Sequence, residues 1–300
     1  MGQKDLSEKI LEDYNDVFAD IINGLIFHGE QRINPDDLQD ASVHSQYKAD
    51  DNQLHEMERD VEKYWDIGQI RLAILGLENQ TVVDKNMPFR VIGYDGNAYR
   101  SQLLDNKKIV PVVTIVLYFG TKQHWCKERN IKSFFEIPEG MEPYVNDYKI
   151  HVFEIAWLTD EEIARFRSDF RIVANFFAQQ RRNADYIPDD PTEIKHVDEV
   201  LKLLEVMTGD QRYTDVAMEN GREVHNMCEV AERLERTGFI KGKTEGRTEG
   251  RIEGRAEEII ETGYEFGLSE EDILARLQKK LNISMQKAQE YLAMFGRQGV

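Results

Sequence analysis

The sequence predicts an α/β protein, with a sheet flanked by helices and a helical C-terminal extension. Two nearly continuous apolar runs rich in branched residues, residues 70–77 and 110–119, are typical of strands buried on both faces. Segments with helical periodicity alternate with these runs, as in a layered α/β core. The composition then changes abruptly after residue 240, where glycine and charged residues dominate. With 300 residues and 41% hydrophobic content, the chain can build such a core.

The first fifty residues precede the predicted sheet. Apolar residues recur at helical spacing over residues 6–27, which predicts one amphipathic helix. The polar stretch 29–51 contains Pro35 and several aspartates and predicts loops. Residues 53–65 fit either a short helix or the approach to the first strand.

The predicted core alternates strands and helices. A capping box of Thr159 and Glu162 marks one helix start, and Pro188 and Pro191 mark the entry to another helix. The predicted elements are a strand over 70–77, a loop over 84–88, a helix over 89–104, strands over 110–119 and 149–155, and helices over 159–182 and 189–207.

Beyond residue 240, glycine recurs every fourth position, at Gly242, Gly246, Gly250 and Gly254. A four-residue period drifts slowly around an α-helix, so these glycines form one narrow stripe. The stripe fits a solvated linker helix, in which each glycine costs about 1 kcal/mol relative to alanine. It also fits the close packing of two helices in a dimer. The segment 257–295 predicts two or three short helices, which gives domains over 1–240, 241–256 and 257–300.

The net charge of −18 opposes generic nucleic-acid binding, because phosphate contacts need local positive potential. Local clusters of Lys and Arg, together with divalent cations at acidic sites, can still overcome this charge. The two cysteines, Cys126 and Cys228, are expected to be free thiols in a reducing cytoplasm. No secretory leader opens the sequence, and the longest apolar run is far shorter than the ~20 residues that cross a bilayer. We therefore expect a cytoplasmic protein without a membrane partner.

The tripeptide Glu78-Asn79-Gln80 ends the first predicted strand. Side chains alternate along a strand, so Glu78 and Gln80 project from one face. Together with a further carboxylate they could bind a hard cation. Asp60, eighteen positions upstream of Glu78, could be delivered by a preceding hairpin strand or turn. Taken alone, a glutamate at a strand end is more often a solvated rim residue.

The wider pattern around this tripeptide is more specific. The run LGLENQTVVDKNMPFRVIGYDGNAYRSQL at residues 75–103 is followed by IVPVVTIVLYFG at 109–120 and then by His124-Trp125. These blocks in this order resemble the recombination-promoting nuclease / putative transposase family of the PD-(D/E)XK nuclease superfamily. The resemblance covers roughly residues 10–240 and is clearest over 58–125. It implies a restriction-endonuclease-like mixed sheet flanked by helices.

The resemblance also implies the acids of a metal site. Asp60 looks like the first acid of the superfamily, and Glu78 looks like the acid of its E-x-K element. Asp16 is similar to the upstream helical acid of the family. Asp60, Glu78 and Asp16 would hold Mg²⁺, or Mn²⁺ or Ca²⁺, which lowers the pKa of a bound water.

Three further residues match the family pattern. Gln80 stands at the position of the superfamily's lysine, and it can orient water but supplies no positive charge. Arg90 and Tyr94 match the family's Arg…Tyr pair, one helical turn apart, and would face the site from the helix after the strand.

The implied function is a metal-dependent DNA endonuclease that hydrolyses phosphodiester bonds and is linked to recombination or mobile elements. Its partners would be DNA and a second copy of the chain, bound through the C-terminal helices. The alternative is a catalytically silent nuclease-fold protein that acts in DNA binding or assembly, which the acidic charge and the missing lysine motivate. A transposase that also joins strands is less well supported, because the sequence shows no sign of an RNase H-like acidic triad.

Overall fold

The computed structural model describes residues 11–41, 44–48, 54–58, 60–68, 70–104, 108–220 and 224–296. The chain divides into two compact units, Met1–Glu232 and Arg233–Val300. Within the described residues, every helix is too short or too polar to cross a lipid bilayer.

The first unit contains all the described strands together with several helices, and every described element after Glu154 is helical. The strands are β1 Leu38–Asp40, β2 His44–Lys48, β3 Leu54–Glu58, β4 Val61–Ile67, β5 Ile70–Gln80, β6 Val112–Tyr118 and β7 His151–Glu154. The helices are α1 Asn15–Leu25, α2 Met87–Leu104, α3 Asp160–Ile163, α4 Phe170–Arg182, α5 Val197–Thr208, α6 Arg212–Asn220, α7 Met227–Glu265, α8 Glu270–Leu281 and α9 Met285–Phe295.

Five strands form one mixed sheet in the order β1-β4-β5-β6-β7, and β2 and β3 form a separate antiparallel pair. β4 pairs antiparallel with both β1 and β5, whereas β5, β6 and β7 run parallel. This sheet with its flanking helices and helical C-terminal region confirms the predicted α/β class. Two of the three parallel strands, β5 and β6, are those that the apolar runs predict, because strands buried on both faces carry few polar residues.

The two faces of the sheet carry different helices. Met87 and Val91 of α2 pack with Val116 and Val152 on one face. On the other face, the ring of Phe119, which follows β6, contacts Phe170 and Phe177 of α4 edge to face. Residues two apart along a strand share a face, so the side of α2 also receives Glu78 and Gln80.

Two predicted helices are interrupted in the structure. The helix expected over 6–27 breaks at Tyr14, whose backbone is extended (ψ 126°) and caps α1, and its first residues lie outside the described part. The helix expected over 159–182 does begin at the capping box of Thr159 and Glu162, but it ends at Ile163 and resumes as α4. Backbone N–H groups at this second break are satisfied by Asp20, which accepts from Arg167 N and Ser168 N, both at 2.7 Å.

Two further expectations need correction. The stretch 29–51, expected to be loops, contains the short strands β1 and β2. The helix expected from residue 189 begins at Val197, because the preceding segment runs in an irregular path. There Asp169 accepts hydrogen bonds from Lys195 N and His196 N at 3.0 and 2.7 Å. Residues 53–65, left undecided by the sequence, contribute β3 and β4.

The C-terminal unit has a small apolar core of its own, formed by residues on α7, α8 and α9. Ile260, Ile273 and Leu277 are fully buried in it. The predicted helix starts at Ser269 and Ser284 are confirmed, since each hydroxyl accepts a hydrogen bond from the backbone three residues on. The glycine-periodic segment belongs to α7, a continuous helix of 39 residues.

Candidate functional site at the carboxyl end of β5

The β4–β5 hairpin brings Asp60 to the end of β5. Val61 pairs with Leu77 in the antiparallel register, so the residue before β4 lies beside the residues that follow Leu77. Asp60 Oδ2 accepts a hydrogen bond from the backbone N–H of Asn79 at 2.6 Å. The hairpin therefore places Asp60 and Glu78 at the same end of the sheet.

Glu78 lies on the sheet face covered by α2 and is almost completely buried, with 1% of its side chain exposed. Its Oε1 accepts hydrogen bonds from Gln80 Nε2 at 3.3 Å and from Arg90 Nη2. Glu78 and Gln80 thus do share one face of β5. A carboxylate buried to this extent needs a cationic or hydrogen-bonding partner, and Arg90 supplies both.

Arg90 lies in the first turns of α2 and connects three groups of the site. Its Nε and Nη2 donate to the Tyr94 hydroxyl at 3.2 and 3.0 Å, and its Nη1 donates to Asp84 Oδ2 at 3.3 Å. Although it contacts buried Glu78, 40% of its side chain remains exposed. Arg90 therefore connects the buried acid to the protein surface.

The pKa of Tyr94 is affected by burial and by the charges of both Glu78 and Asp60. Burial is the main cause that raises the pKa of its phenol to about 12, and the charge of Glu78 adds to the rise. Arg90 acts in the opposite direction, while Asp60 raises the pKa further. Burial alone would lower the pKa of Arg90, but Glu78, Tyr94 and Asp84 reverse this effect and the pKa lies above its ordinary value. At neutral pH, Arg90 is charged and Tyr94 keeps its proton.

The opposite face of β5 carries a second polar contact that the sequence did not predict. Asn79 points away from α2, and its Nδ2 donates to Glu12 Oε2 at 2.5 Å. Both residues are buried, and Asn79 Oδ1 makes no hydrogen bond with the described residues. The only sequence signal for Glu12 is its position one helical turn before Asp16.

Asp16 lies in different surroundings from Glu78. His196 Nε2 is 3.3 Å from Asp16 Oδ1, and the His196 ring stacks on Tyr14 at a centroid distance of 3.8 Å. Among the residues that the structure describes, no group of three or more Asp, Glu, His or Cys side chains is arranged to hold a metal ion. Asp16, Asp60 and Glu78 are thus not brought together as one set of three ligands.

The fold and these contacts define an α/β protein with a mixed sheet. At the carboxyl end of β5, this sheet and the following helix carry an acid (Glu78), an amide (Gln80) and the Arg90–Tyr94 pair. Residues 73–206 match the family described as "Putative transposase, YhgA-like", in agreement with the family resemblance of the sequence over that segment. The matched segment runs from within β5 into α5 and includes Glu78, Gln80, Arg90 and Tyr94. No curated protein and no solved structure gives a significant match to the chain.

Proposed function

We propose that the protein is a metal-dependent DNA endonuclease whose site lies at the carboxyl end of β5. The observation that supports the proposal is the contact of Asp60 with the backbone N–H of Asn79, next to Glu78, with Gln80 and Arg90 bound to Glu78. The family description, which names transposases, favours an enzyme that acts on DNA. A link to recombination or mobile elements follows from the same description.

The donor set at this edge suits Mg²⁺ or Mn²⁺. Asp60 and Glu78 offer carboxylate oxygens, and Mg²⁺ sites commonly use one or two protein carboxylates together with water and substrate phosphate. A pair of acids can therefore suffice without Asp16. When bound, the cation would supply Lewis-acid stabilisation of the phosphate and a water of lowered pKa.

The remaining side chains position the substrate. Gln80, hydrogen-bonded to Glu78, can orient a water molecule through its amide, but it adds no charge. Arg90 provides the fixed positive charge and is exposed enough to donate to a phosphate oxygen. Tyr94 keeps its phenolic proton at neutral pH and holds the Arg90 guanidinium in place through two hydrogen bonds.

The direct test is nicking of supercoiled plasmid DNA with Mg²⁺ or Mn²⁺ by the wild type and by Glu78→Gln. We expect the variant to lose activity by at least about a hundredfold, the order seen when one transition-state contact is removed. Glu161→Gln, which changes an exposed glutamate of α3, is the matched control and should cleave normally. Equal nicking by the wild type and Glu78→Gln would remove Glu78 from the mechanism.

A second candidate, a silent nuclease-fold protein, is favoured by one observation. Arg90 already neutralises Glu78, and Asp60 already accepts a backbone hydrogen bond. Isothermal calorimetry with Mn²⁺ separates the two functions. An endonuclease should bind the ion and lose that binding in Asp60→Asn, whereas a silent protein should show no binding that depends on Asp60.

We also propose that the protein forms a homodimer through its C-terminal helices. Large apolar side chains are exposed there, including Phe239 (69% exposed) and Phe266 (76% exposed). A second copy could cover them, because burying apolar area drives association. Light scattering of the full chain should give the mass of two copies, and a monomer mass at working concentrations would contradict the proposal.

A further inference from the structure

The connection from β6 to β7 starts with a positively charged stretch in an otherwise acidic protein. Residues 121–132, called the basic segment below, have the sequence TKQHWCKERNIK. They contain four Lys or Arg residues against one Glu, whereas the whole chain has a net charge of −18. The second part of the connection is acidic, with Glu136, Glu139 and Glu142. Within the connection from β6 to β7, the positive charge is therefore concentrated in the basic segment.

The basic segment starts at the end of the sheet where Glu78 lies, the carboxyl end of the parallel strands. In the parallel registers, Gln80 pairs with Tyr118 and Tyr118 pairs with Glu154, so β5, β6 and β7 end side by side. The basic segment begins just after β6. Neighbouring strands are about 4.8 Å apart, so Glu154 is on the order of 10 Å along this edge from Gln80.

Glu154 fixes the basic segment to the sheet. Its carboxylate accepts from Trp125 N at 3.0 Å and from Arg129 Nη2 at 2.6 Å, and it contacts His124 Nδ1 at 2.7 Å. Burial would raise the pKa of Glu154, but these three partners together hold it below its usual value. The His124 ring also stacks on Trp157 at a centroid distance of 3.5 Å. These contacts fix the backbone of the basic segment, and therefore the positions from which its Lys and Arg side chains extend.

The cations divide into anchors and exposed charges. Arg129 is used to hold Glu154, and Lys132 Nζ donates to the carbonyl of Glu142 at 2.9 Å. Lys122 and Lys127 are exposed, and neither makes an ion pair within the part of the chain that the structure describes. Arg129 neutralises Glu154, and Lys132 is bound to a backbone carbonyl. Lys122 and Lys127 are therefore the exposed lysines of the segment that carry positive charge into solvent.

We propose that the basic segment binds the phosphate backbone of DNA and leads the strand to the edge at Glu78, with Lys122 and Lys127 as the phosphate contacts. This inference rests on the proposed function, because it names the surface that holds the substrate of that site. Phosphate contacts by lysine provide affinity and fix the position of the strand, while they read no sequence. Such local positive potential is what a chain with this net charge needs in order to bind DNA.

The test measures DNA binding separately from cleavage. Fluorescence anisotropy with a labelled duplex, in EDTA and over a series of salt concentrations, is compared for the wild type and for the double variant Lys122→Ala/Lys127→Ala. Each lost phosphate contact should reduce the slope of log K against log salt by about 0.9, so the double variant should lose about 1.8. Its affinity at low salt should fall at least tenfold. Circular dichroism checks that the variants are folded.

The matched control is Lys195→Ala/Lys202→Ala, which removes the same charge from exposed lysines of the same unit, before and on α5. The control should keep the wild-type slope. Equal slopes for the two double variants, or no DNA binding by the wild type, would overturn the inference. Loss of binding in Lys122→Ala/Lys127→Ala with no Glu78-dependent nicking would instead leave the inference standing and refute the nuclease proposal.

Discussion

In the proposed endonuclease, Arg90 supplies the positive charge that a lysine two residues after Glu78 would bring. Gln80 brings no charge, and Arg90 reaches Glu78 from α2 rather than from the strand. The guanidinium of Arg90 makes several directed hydrogen bonds at once, which a lysine ammonium cannot match in geometry. The charge of the site therefore depends on how α2 packs on the sheet.

Tyr94 provides a pH-dependent test of this arrangement. Its pKa is raised to about 12, chiefly by burial and by Glu78, from an ordinary value of 10.0. A raised pKa means that the folded protein keeps the proton longer than the unfolded chain. The associated stability is fully present below pH 10 and is lost as the pH rises from about 10 to about 12.

We expect Tyr94→Phe to lose less stability between pH 8 and pH 11 than the wild type does. The difference should be about 1.4 kcal/mol at pH 11, one unit above the ordinary pKa of tyrosine, since one pKa unit corresponds to about 1.4 kcal/mol. Urea unfolding at both pH values measures it. Tyr144→Phe, at a side chain that is 82% exposed, is the control and should follow the wild type. If the wild type and Tyr94→Phe lose the same stability between pH 8 and pH 11, the Tyr94 phenol is not buried beside Glu78 in the folded protein.

At the scale of elements, local patterns predicted the buried parallel strands better than the short antiparallel strands or the ends of helices. β5 and β6 follow from their apolar runs, and the hairpin that delivers Asp60 follows once β4 is recognised. The breaks around Tyr14 and residues 164–169 do not follow, because the periodicity of apolar residues continues across them. At the second break, Asp20 satisfies the freed N–H groups across 147 and 148 residues of sequence.

The same distinction applies to the site. Glu78, Gln80, Arg90 and Tyr94 lie within one strand and the following helix, and the family resemblance, which is clearest over this stretch, predicted them together. The contact of Glu12 with Asn79 spans 67 residues, and no local pattern encodes it. The position of Asp16 beside His196 spans 180 residues and was equally hidden. Long-range contacts of this kind appear only when the elements are packed.

The glycine stripe of α7 gives a prediction at this scale. A Cβ added at Gly246 or Gly250 would meet no atom within 4 Å. We therefore expect Gly246→Ala/Gly250→Ala to increase helicity and to raise the melting temperature of the C-terminal unit, because each alanine favours the helix by about 1 kcal/mol. Circular dichroism measures the helicity and the melting temperature, and light scattering measures the mass in solution. A change from dimer to monomer mass would instead show that the stripe packs closely against a second copy.

At the scale of the whole molecule, the positive charge near the proposed site contrasts with the acidic character of the rest of the chain. The chain is strongly acidic, yet the basic segment and Arg90 present positive charge at the edge where the acids Asp60 and Glu78 meet. Long-range repulsion from the remaining surface is screened beyond about 8–10 Å at physiological salt. A phosphate at this edge is therefore affected mainly by its near neighbours. The net charge of −18 therefore does not by itself exclude the proposed binding of DNA.

The two units, Met1–Glu232 and Arg233–Val300, each contain a buried core, and this predicts separate unfolding transitions. Leu277 is fully buried among apolar residues of the C-terminal unit, and Leu203 is fully buried in the first unit. Replacing a buried leucine by alanine costs about 2–5 kcal/mol. Because substitutions at independent sites have independent effects, we expect each substitution to destabilise its own unit.

Differential scanning calorimetry of the full chain measures this. We expect Leu277→Ala to lower one transition and leave the other at its wild-type temperature, and Leu203→Ala to do the reverse. The nicking assay adds an independent measure, because Leu277→Ala leaves the candidate site intact at temperatures below the remaining transition. A single transition that both substitutions lower equally would mean that the two units unfold as one, and that α7, which continues across their boundary, couples their stability.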